Sequence, residues 1–487
     1  MGVESRNSHR DYELLSRDAD AVANAINTWL GNPITRTTLK FVCSSNDHES
    51  RLDTALRKYA GLKAKTDFRD KIAYSIVKFA IDKGATTFGV HTGIMKKSLK
   101  DPIFRRTLSN VLEGIAEFGV RRPQVSISPF LVVWNFTHAC NLRCKHCYEN
   151  AGEFLEDELT TEEAKKTIDD FKDAGVVAIA FSGGEPLMRK DFFEIAEYAV
   201  KNNFYCSVAS NGTIITPAIA KKMKNKGIEY VEISLDGFEK EHDAFRGING
   251  AWKRACKGIK NCVAAGLDTC VATTITQYNV KSIPKFIKFI EEKLGVKRFL
   301  AFNYVPTRRG KEIIGKDLSP QQRQELLDFL YSKLTDKGCR LSALTTAPQF
   351  ARVAVDNSGP TISTHFVNKE TMGMSGRTKV LSEFIGGCGA GRLYCGMEPN
   401  GDILPCVFMP IKLGNIKENN IKEIWKNSFI LKQMRNRDKF KGHCGVCEYK
   451  YICGGCRARA YGYFNDVAAS DPGCIKNQEA WDELKAS

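Results

Sequence analysis

The stretch WNFTHACNLRCKHCYENAG, residues 134–152, sets Cys140, Cys144 and Cys147 close together beside His138, His146 and Tyr148. Three thiols at this spacing, with no fourth beside them, limit the chemistry. A structural zinc site takes four ligands, commonly as two C-x2-C pairs, and three thiolates around one tetrahedral ion leave a position open. Thiolates also hold iron–sulfur clusters, where a four-iron cubane normally takes four cysteines. Three cysteines leave one iron free for a further ligand, as in a cluster that acts on a molecule bound to it.

A second group is denser. Cys388, Cys395, Cys406, Cys444, Cys447, Cys453, Cys456 and Cys474 follow the pattern C-x6-C-x10-C, then C-x2-C-x5-C-x2-C-x17-C. Eight thiolates match two fully ligated cubanes, although the central C-x2-C-x5-C-x2-C alone would also fit zinc. The other six of the 17 cysteines, Cys43, Cys206, Cys256, Cys262, Cys270 and Cys339, are scattered and read as small core residues. No apolar run approaches the roughly 18 residues of a membrane span. The polar start MGVESRNSHRDYELLSRD argues against a leader peptide, and Arg6 stands where a Gly2 myristoylation motif needs a hydroxyl. A cytoplasmic location is expected, and a reducing compartment makes a disulfide framework a poor account of so many thiols.

These thiols must be positioned by larger elements. A chain of 487 residues exceeds a single core, so two or three domains are expected. Residues 1–125 carry apolar positions at helical spacing, with Asp101-Pro102 marking a helix start, and read as a helical N-terminal domain that packs or covers substrate. From Ser128 the rhythm changes. Apolar or β-branched runs at 130–136, 176–183, 204–210, 230–237, 268–275 and 298–305 alternate with amphipathic segments starting near Thr160, Asp191, Pro217, Ala251, Ser282 and Ser319. Six strand–helix units predict an α/β fold, a partial (β/α)6 TIM-type barrel over 126–340, with ligands at the C-terminal strand ends. The three cysteines follow the first strand, on that edge. Residues 341–487 form a loop-rich domain whose shape depends on metal ligation.

Residues 130 to about 335 resemble the radical S-adenosylmethionine (SAM) superfamily. Its hallmark C-x3-C-x-φ-C, with φ aromatic, stands here as Cys140, Cys144, His146 and Cys147. FSGGEP (181–186) is similar to the family's Gly-Gly-Glu-Pro loop, which implies that Gly183 and Gly184 permit close backbone approach and that Glu185 meets the SAM ammonium group. By the same resemblance Ser210 and Asn211 of SNG lie near the ribose, Ser234 of SLDG and Arg246 meet the SAM carboxylate, and Thr274 and Asn279 follow the fifth strand. The C-terminal cysteines resemble the SPASM extension, which holds two auxiliary clusters. That implies Cys388, Cys395, Cys406 and Cys456 for one and Cys444, Cys447, Cys453 and Cys474 for the other. The chain departs from many members in having two residues, not three, between Cys453 and Cys456.

The implied cofactors are SAM and three 4Fe-4S clusters, one SAM-binding and two auxiliary. The implied activity is cleavage of SAM to a 5'-deoxyadenosyl radical, hydrogen abstraction from a substrate, and an oxidative outcome such as decarboxylation, dehydrogenation or crosslinking. No residue is singled out as catalytic. The motifs look most like the branch of haem-biosynthesis decarboxylases and haem d1 maturases. The alternatives are a peptide-modifying maturase, a lipid or isoprenoid radical coupling enzyme, and a non-catalytic iron–sulfur carrier or nucleic-acid-binding protein. Expected partners are a small-molecule or peptide substrate and an electron donor such as ferredoxin or flavodoxin. The net charge of +16 is spread along the chain without a long basic run, which argues against nucleic acid.

Overall fold

The computed structural model describes residues 32–44, 50–88, 91–336, 338–357 and 382–486. The chain start, with its leader and Gly2 readings, lies outside the described residues.

Each apolar run of the central region becomes a strand: β1 Leu131–Thr137, β2 Ala178–Gly183, β3 Tyr205–Ser210, β4 Tyr230–Ser234, β5 Asp268–Ile275 and β6 Arg298–Asn303. Helices between them start where side chains can cap free N–H groups. Thr160 and Glu163 form a reciprocal capping box, as do Ser319 and Gln322, and Thr216 caps the helix Pro217–Asn225. Alternation along each strand separates two faces. Val132, Trp134 and Phe136 pack outward under the helices, with Trp134 stacked on Phe181 at 5.9 Å, while Leu131 and Val133 face the barrel interior. The inward positions of β2 and β5 include Ala178, Ala180 and Ala272, small residues that leave the interior hollow.

The sheet is larger than six strands and does not close. β7 Ser342–Thr345 adds to β6, and β8 Tyr394–Met397 lies parallel to β1 on the opposite edge. β9 Asp402–Leu404 and β10 Gly414–Asn415 continue antiparallel beyond β8, giving the order β10-β9-β8-β1-β2-β3-β4-β5-β6-β7. Four strands from beyond residue 340 thus extend the sheet at its two edges, and the C-terminal region is built onto the barrel. A buried network joins them further: Arg459 donates to Asp317 at 2.7 Å and to Asp471 at 3.1 Å, with all three side chains wholly buried.

The N-terminal region is helical, with its own core of Val42, Leu52, Leu56, Tyr59, Ala73 and Leu99. Asp101 caps the helix Pro102–Phe118, as Asp-Pro implied. This helix seats on the N-terminal ends of the strands. Arg106 donates to the carbonyls of Val176, Asn202 and Asn203, and Asn110 to those of Ser128 and Gly175. A Cβ at Gly114 would fall 2.5 Å from the Val125 carbonyl, so the helix and the chain entering β1 are in close contact. Ile103, Thr107, Val111 and Ile115 floor the barrel. Of the scattered cysteines, Cys206, Cys256, Cys262 and Cys270 are buried and Cys43 and Cys339 half-buried.

Candidate active site

The cysteine loop leaves β1 and is gripped from several sides. Cys140 N–H donates to the Gly152 carbonyl at 2.9 Å, Lys145 N–H to Phe245 at 2.9 Å, and Arg309 Nε to the Cys144 carbonyl at 2.9 Å. Cys140, Cys144 and Cys147 then share a small apolar cluster with Leu142, Ile248 and Ala251. His146, the aromatic position of the hallmark, stacks on Phe245 with centroids 4.1 Å apart, and burial holds it well below its ordinary pKa. Tyr148 shares a hydrogen bond with Ser182 at 2.7 Å and sets its ring edge-on to Phe408 of the C-terminal region. Burial pushes Cys140 up to about 12 and also raises Cys144, against which Arg246 Nη1 lies 3.6 Å from Sγ. Thiols so raised are poor thiolates until a metal supplies positive charge.

The Gly-Gly-Glu loop is pressed against this segment. A Cβ at Gly184 would lie 2.1 Å from the Ala139 carbonyl, and Gly183 adopts φ +108° with the Thr137 carbonyl 2.7 Å from its would-be Cβ. The close approach required of both glycines is therefore to the chain entering the cysteine loop. Glu185 is 0% exposed and stands behind the cavity wall. It accepts from Ser210 Oγ at 2.9 Å, Asn211 N–H at 2.8 Å and Leu187 N–H at 3.3 Å. Burial raises it to about 7, these donors opposing the rise. Glu185, Ser210 and Asn211 thus form one hydrogen-bonded unit. Asn211 Nδ2 also reaches Asn141 in the cysteine loop at 2.8 Å.

Asp236 was missed in the sequence, where SLDG drew attention to Ser234. Asp236 is buried, with Oδ2 accepting from Arg246 Nε at 2.6 Å and Oδ1 from Thr274 N–H at 2.9 Å. It binds two of the expected site residues to each other. Asn279 braces the same turn by donating to the Asp236 carbonyl at 3.1 Å. Arg308, in VPTRRG, is a second omission: it donates to the Glu149 carbonyl at 3.2 Å and pairs with Glu398, linking the cysteine loop to the C-terminal region.

The eight C-terminal thiols fall into two neighbourhoods. Cys456 bears the charge of Cys388 and Cys406, and Cys395 that of Cys406. Cys453 bears that of Cys474 and Cys444, and Cys447 that of Cys444. Asp471 accepts the Cys456 N–H at 2.9 Å. Among the described residues no three His, Cys, Asp or Glu side chains converge closely enough to hold a single metal ion. A four-iron cube takes one thiolate per corner and so spreads its ligands more widely than one tetrahedral ion does.

A single cavity of about 1260 Å3 runs through the barrel. Cys140, Cys144 and Cys147 wall one part of it, and Cys388, Cys406 and Cys456 another. Gly183, Gly184, Ser210, Asn211, Ser234, Arg246 and Thr274 line it; Glu185 does not. Val133, Leu300, Phe302, Leu344 and Phe408 supply an apolar wall, and Glu232 faces the interior from β4, raised to about 7 by burial. No helix among the described residues is long and apolar enough to cross a membrane.

The family model of the radical SAM superfamily matches residues 134–290, and that of the SPASM iron-sulfur cluster-binding domain matches residues 388–456. An AdoMet-dependent heme synthase of Methanosarcina barkeri is 35% identical over 350 residues, covering 72% of this chain and 97% of that protein. A mycofactocin maturase of Mycobacterium tuberculosis is 30% identical, covering 72% of this chain and 83% of its own. The crystal structure of Streptococcus suis SuiB bound to S-adenosylmethionine shares the fold at 18% identity, with a TM-score of 0.61 over 87% of this chain and 92% of that one.

Proposed function

Because the chain belongs to the radical SAM superfamily and carries a SPASM iron-sulfur domain, an enzyme architecture that uses SAM and 4Fe-4S clusters, we propose that it performs an oxidative reaction on a tetrapyrrole, removing carboxylate from a propionate side chain. The single observation that carries this reading is the shared cavity, which the cysteines of the barrel mouth and of the C-terminal region both wall. A substrate radical formed there lies beside a route for the electron it must lose. The volume exceeds the roughly 300–1,000 Å3 of ordinary small-molecule pockets, so SAM and a large flat apolar ligand fit together. The likeness to the heme synthase supports the tetrapyrrole as substrate class.

In this reading Cys140, Cys144 and Cys147 hold the SAM-binding cluster. When bound, SAM and this cluster supply a radical that takes a hydrogen atom. Gly183 and Gly184, with the Glu185 carboxylate behind them, would meet the SAM ammonium group, Ser210 and Asn211 would border the ribose, and Ser234, Thr274 and Arg246 would border the carboxylate. Asp236 occupies Nε of Arg246, which leaves Nη2 for that contact. Loss of a side-chain hydrogen atom, cleavage of the bond to the carboxylate and release of carbon dioxide leave a vinyl group and one electron. Cys388, Cys395, Cys406 and Cys456 would hold one auxiliary cluster, able to supply an acceptor for that electron, and Cys444, Cys447, Cys453 and Cys474 would hold the second. A net charge of +16 suits an acidic donor such as flavodoxin or ferredoxin.

The test is anaerobic incubation of the iron-loaded protein with SAM, a reductant and either propionate-bearing tetrapyrroles or candidate peptides. Loss of carbon dioxide from a tetrapyrrole, matched by 5'-deoxyadenosine, is expected. The likeness to the mycofactocin maturase makes a peptide the competing substrate, and turnover of a peptide alone would overturn the proposal.

A further inference from the structure

Three arginines are buried among the C-terminal cysteines, and among the described residues no carboxylate pairs with any of them. Arg392, Arg437 and Arg457 are 3%, 4% and 2% exposed. Their hydrogen bonds go to backbone carbonyls and to one sulfur. Arg392 donates to the carbonyls of Gln124, Ile385 and Cys388. Arg437 donates to those of Lys450 at 2.6 Å, Tyr451 at 2.7 Å and Cys388 at 3.5 Å. Arg457 reaches the Val467 and Ala469 carbonyls and lies 3.8 Å from Cys444 Sγ. The three also repel one another, since the charge of Arg437 bears on Arg392 and that of Arg457 on Arg437. Nearby, Arg459 has two carboxylates of its own. The Asp466 carboxylate bears on Arg457 without ion-pair contact, but a buried cation with no carboxylate against it is a large desolvation loss, and three such cations imply further negative charge between them.

Arg437 stands where the two cysteine neighbourhoods meet. Cys388 N–H donates to the Cys453 carbonyl at 3.3 Å. The guanidinium is wedged against the adjoining backbone: a Cβ at Gly454 would lie 2.6 Å from its Cζ and one at Gly386 3.2 Å from its Nη2. The charges of Cys388, Cys453 and Cys444, drawn from both neighbourhoods, bear on it. A cubane with four thiolates is anionic and gains one more negative charge on reduction, so a fixed cation beside it favours the reduced form and raises its potential.

We propose that Arg437 is a counter-charge shared by both C-terminal clusters, with Arg392 serving the Cys388 cluster and Arg457 the Cys444 cluster, and that this charge keeps both clusters able to accept the substrate's electron. Arg437 is in these terms a positioning residue, and the assignment rests on the two-cluster reading above. The experiment is a redox titration followed by electron paramagnetic resonance on the full chain bearing Cys140→Ala, Cys144→Ala and Cys147→Ala, so that only C-terminal clusters contribute. Arg437→Gln should lower both midpoints, each by at least a tenfold change in the reduced-to-oxidised ratio at fixed potential, which is 59 mV for one electron. Arg437→Lys should restore them to within threefold. Arg392→Gln should move one midpoint and Arg457→Gln the other. Unmoved midpoints in an Arg437→Gln protein with full iron would overturn the proposal. So would loss of iron in both Arg437 variants, which would make the side chain a fold element. A parent protein without C-terminal iron would overturn the reading beneath it, and the iron count reports that separately.

Discussion

Arg246 and Arg437 are both buried guanidiniums set against cysteines, and they are held in opposite ways. At the barrel mouth Arg246 has its own carboxylate, Asp236, at 2.6 Å, and the cysteines beside it number three. In the C-terminal region Arg437 rests on carbonyls alone, among eight cysteines. The first site balances its cation within the protein and leaves coordination open for a ligand. The second spends every thiol and, in our reading, leaves its charge balance to the bound clusters. A site that must exchange its ligand at each turnover has to stay folded when that ligand leaves, whereas one that keeps its cofactor can depend on it.

The largest effect expected from this difference comes at the barrel mouth. Changing Cys140, Cys144 and Cys147 together to Ala should abolish 5'-deoxyadenosine formation while iron falls from about twelve to about eight per chain, by four-iron arithmetic at each site. Chromatography of the nucleoside and an iron assay check both numbers, and residual SAM cleavage would break the distinction between the sites. Next comes the C-terminal side. Cys447→Ala with Cys453→Ala should remove about four irons. SAM cleavage driven by an artificial reductant should persist while product collapses, and limited proteolysis should show new cleavage between residues 444 and 474, beyond the strands that the C-terminal region adds to the sheet. Equal sensitivity of both regions would erase the contrast.

Smaller effects probe the barrel mouth alone. Glu185→Gln can keep Oε1 as the acceptor for Ser210 and Leu187, but it removes the negative charge and sets an amide donor against the Asn211 N–H that Oε2 accepts. Charge-assisted bonds contribute about 1.5–3 kcal/mol, so SAM affinity measured by calorimetry should fall roughly ten- to a hundredfold with iron unchanged. The smallest effect is in pH. Burial raises Glu185 to about 7, so the free protein is favoured with this carboxyl protonated, and that contribution is lost as pH rises through 7. Arrival of the SAM ammonium group favours the ionised form, so affinity should rise by up to about tenfold from pH 6 to pH 8, with proton release on binding near neutrality. In Glu185→Gln that slope should vanish; a slope that survives would assign it to another group.

The strands of the barrel were legible because β-branched runs and capped amphipathic helices alternate strictly from β1 to β6, and each local preference agrees with the fold. β7 and β8 were not. SALT and YCGM are four residues each, and the second carries a cysteine and a glycine, so their strand character comes from the neighbours they join. The spacing of the cysteines could be read because metal ligation constrains sequence directly. The grip of Asp236 on Arg246 and Thr274 could not, since it appears only when the ends of β4 and β5 are side by side. Arg392, Arg437 and Arg457 were invisible for a plainer reason: arginine ordinarily reads as surface, and nothing local marks these three as buried. For the helix Pro102–Phe118 an apolar stripe indicated that one face is covered, but not that the barrel floor covers it.

β1 has β2 on one side and β8 on the other, with Leu131 opposite Tyr394. The second neighbour is about 260 residues further along the chain, and at roughly 5–20 residues per second a ribosome needs on the order of 10–50 s to reach it. During that interval the strand leading into the cysteine loop has one edge with bare N–H and C=O groups, the kind of edge to which other nascent chains adhere. Cys395 lies within β8, opposite Val132. Closure of that edge and arrival of the first cysteines of the proposed C-terminal clusters therefore fall together late in biosynthesis.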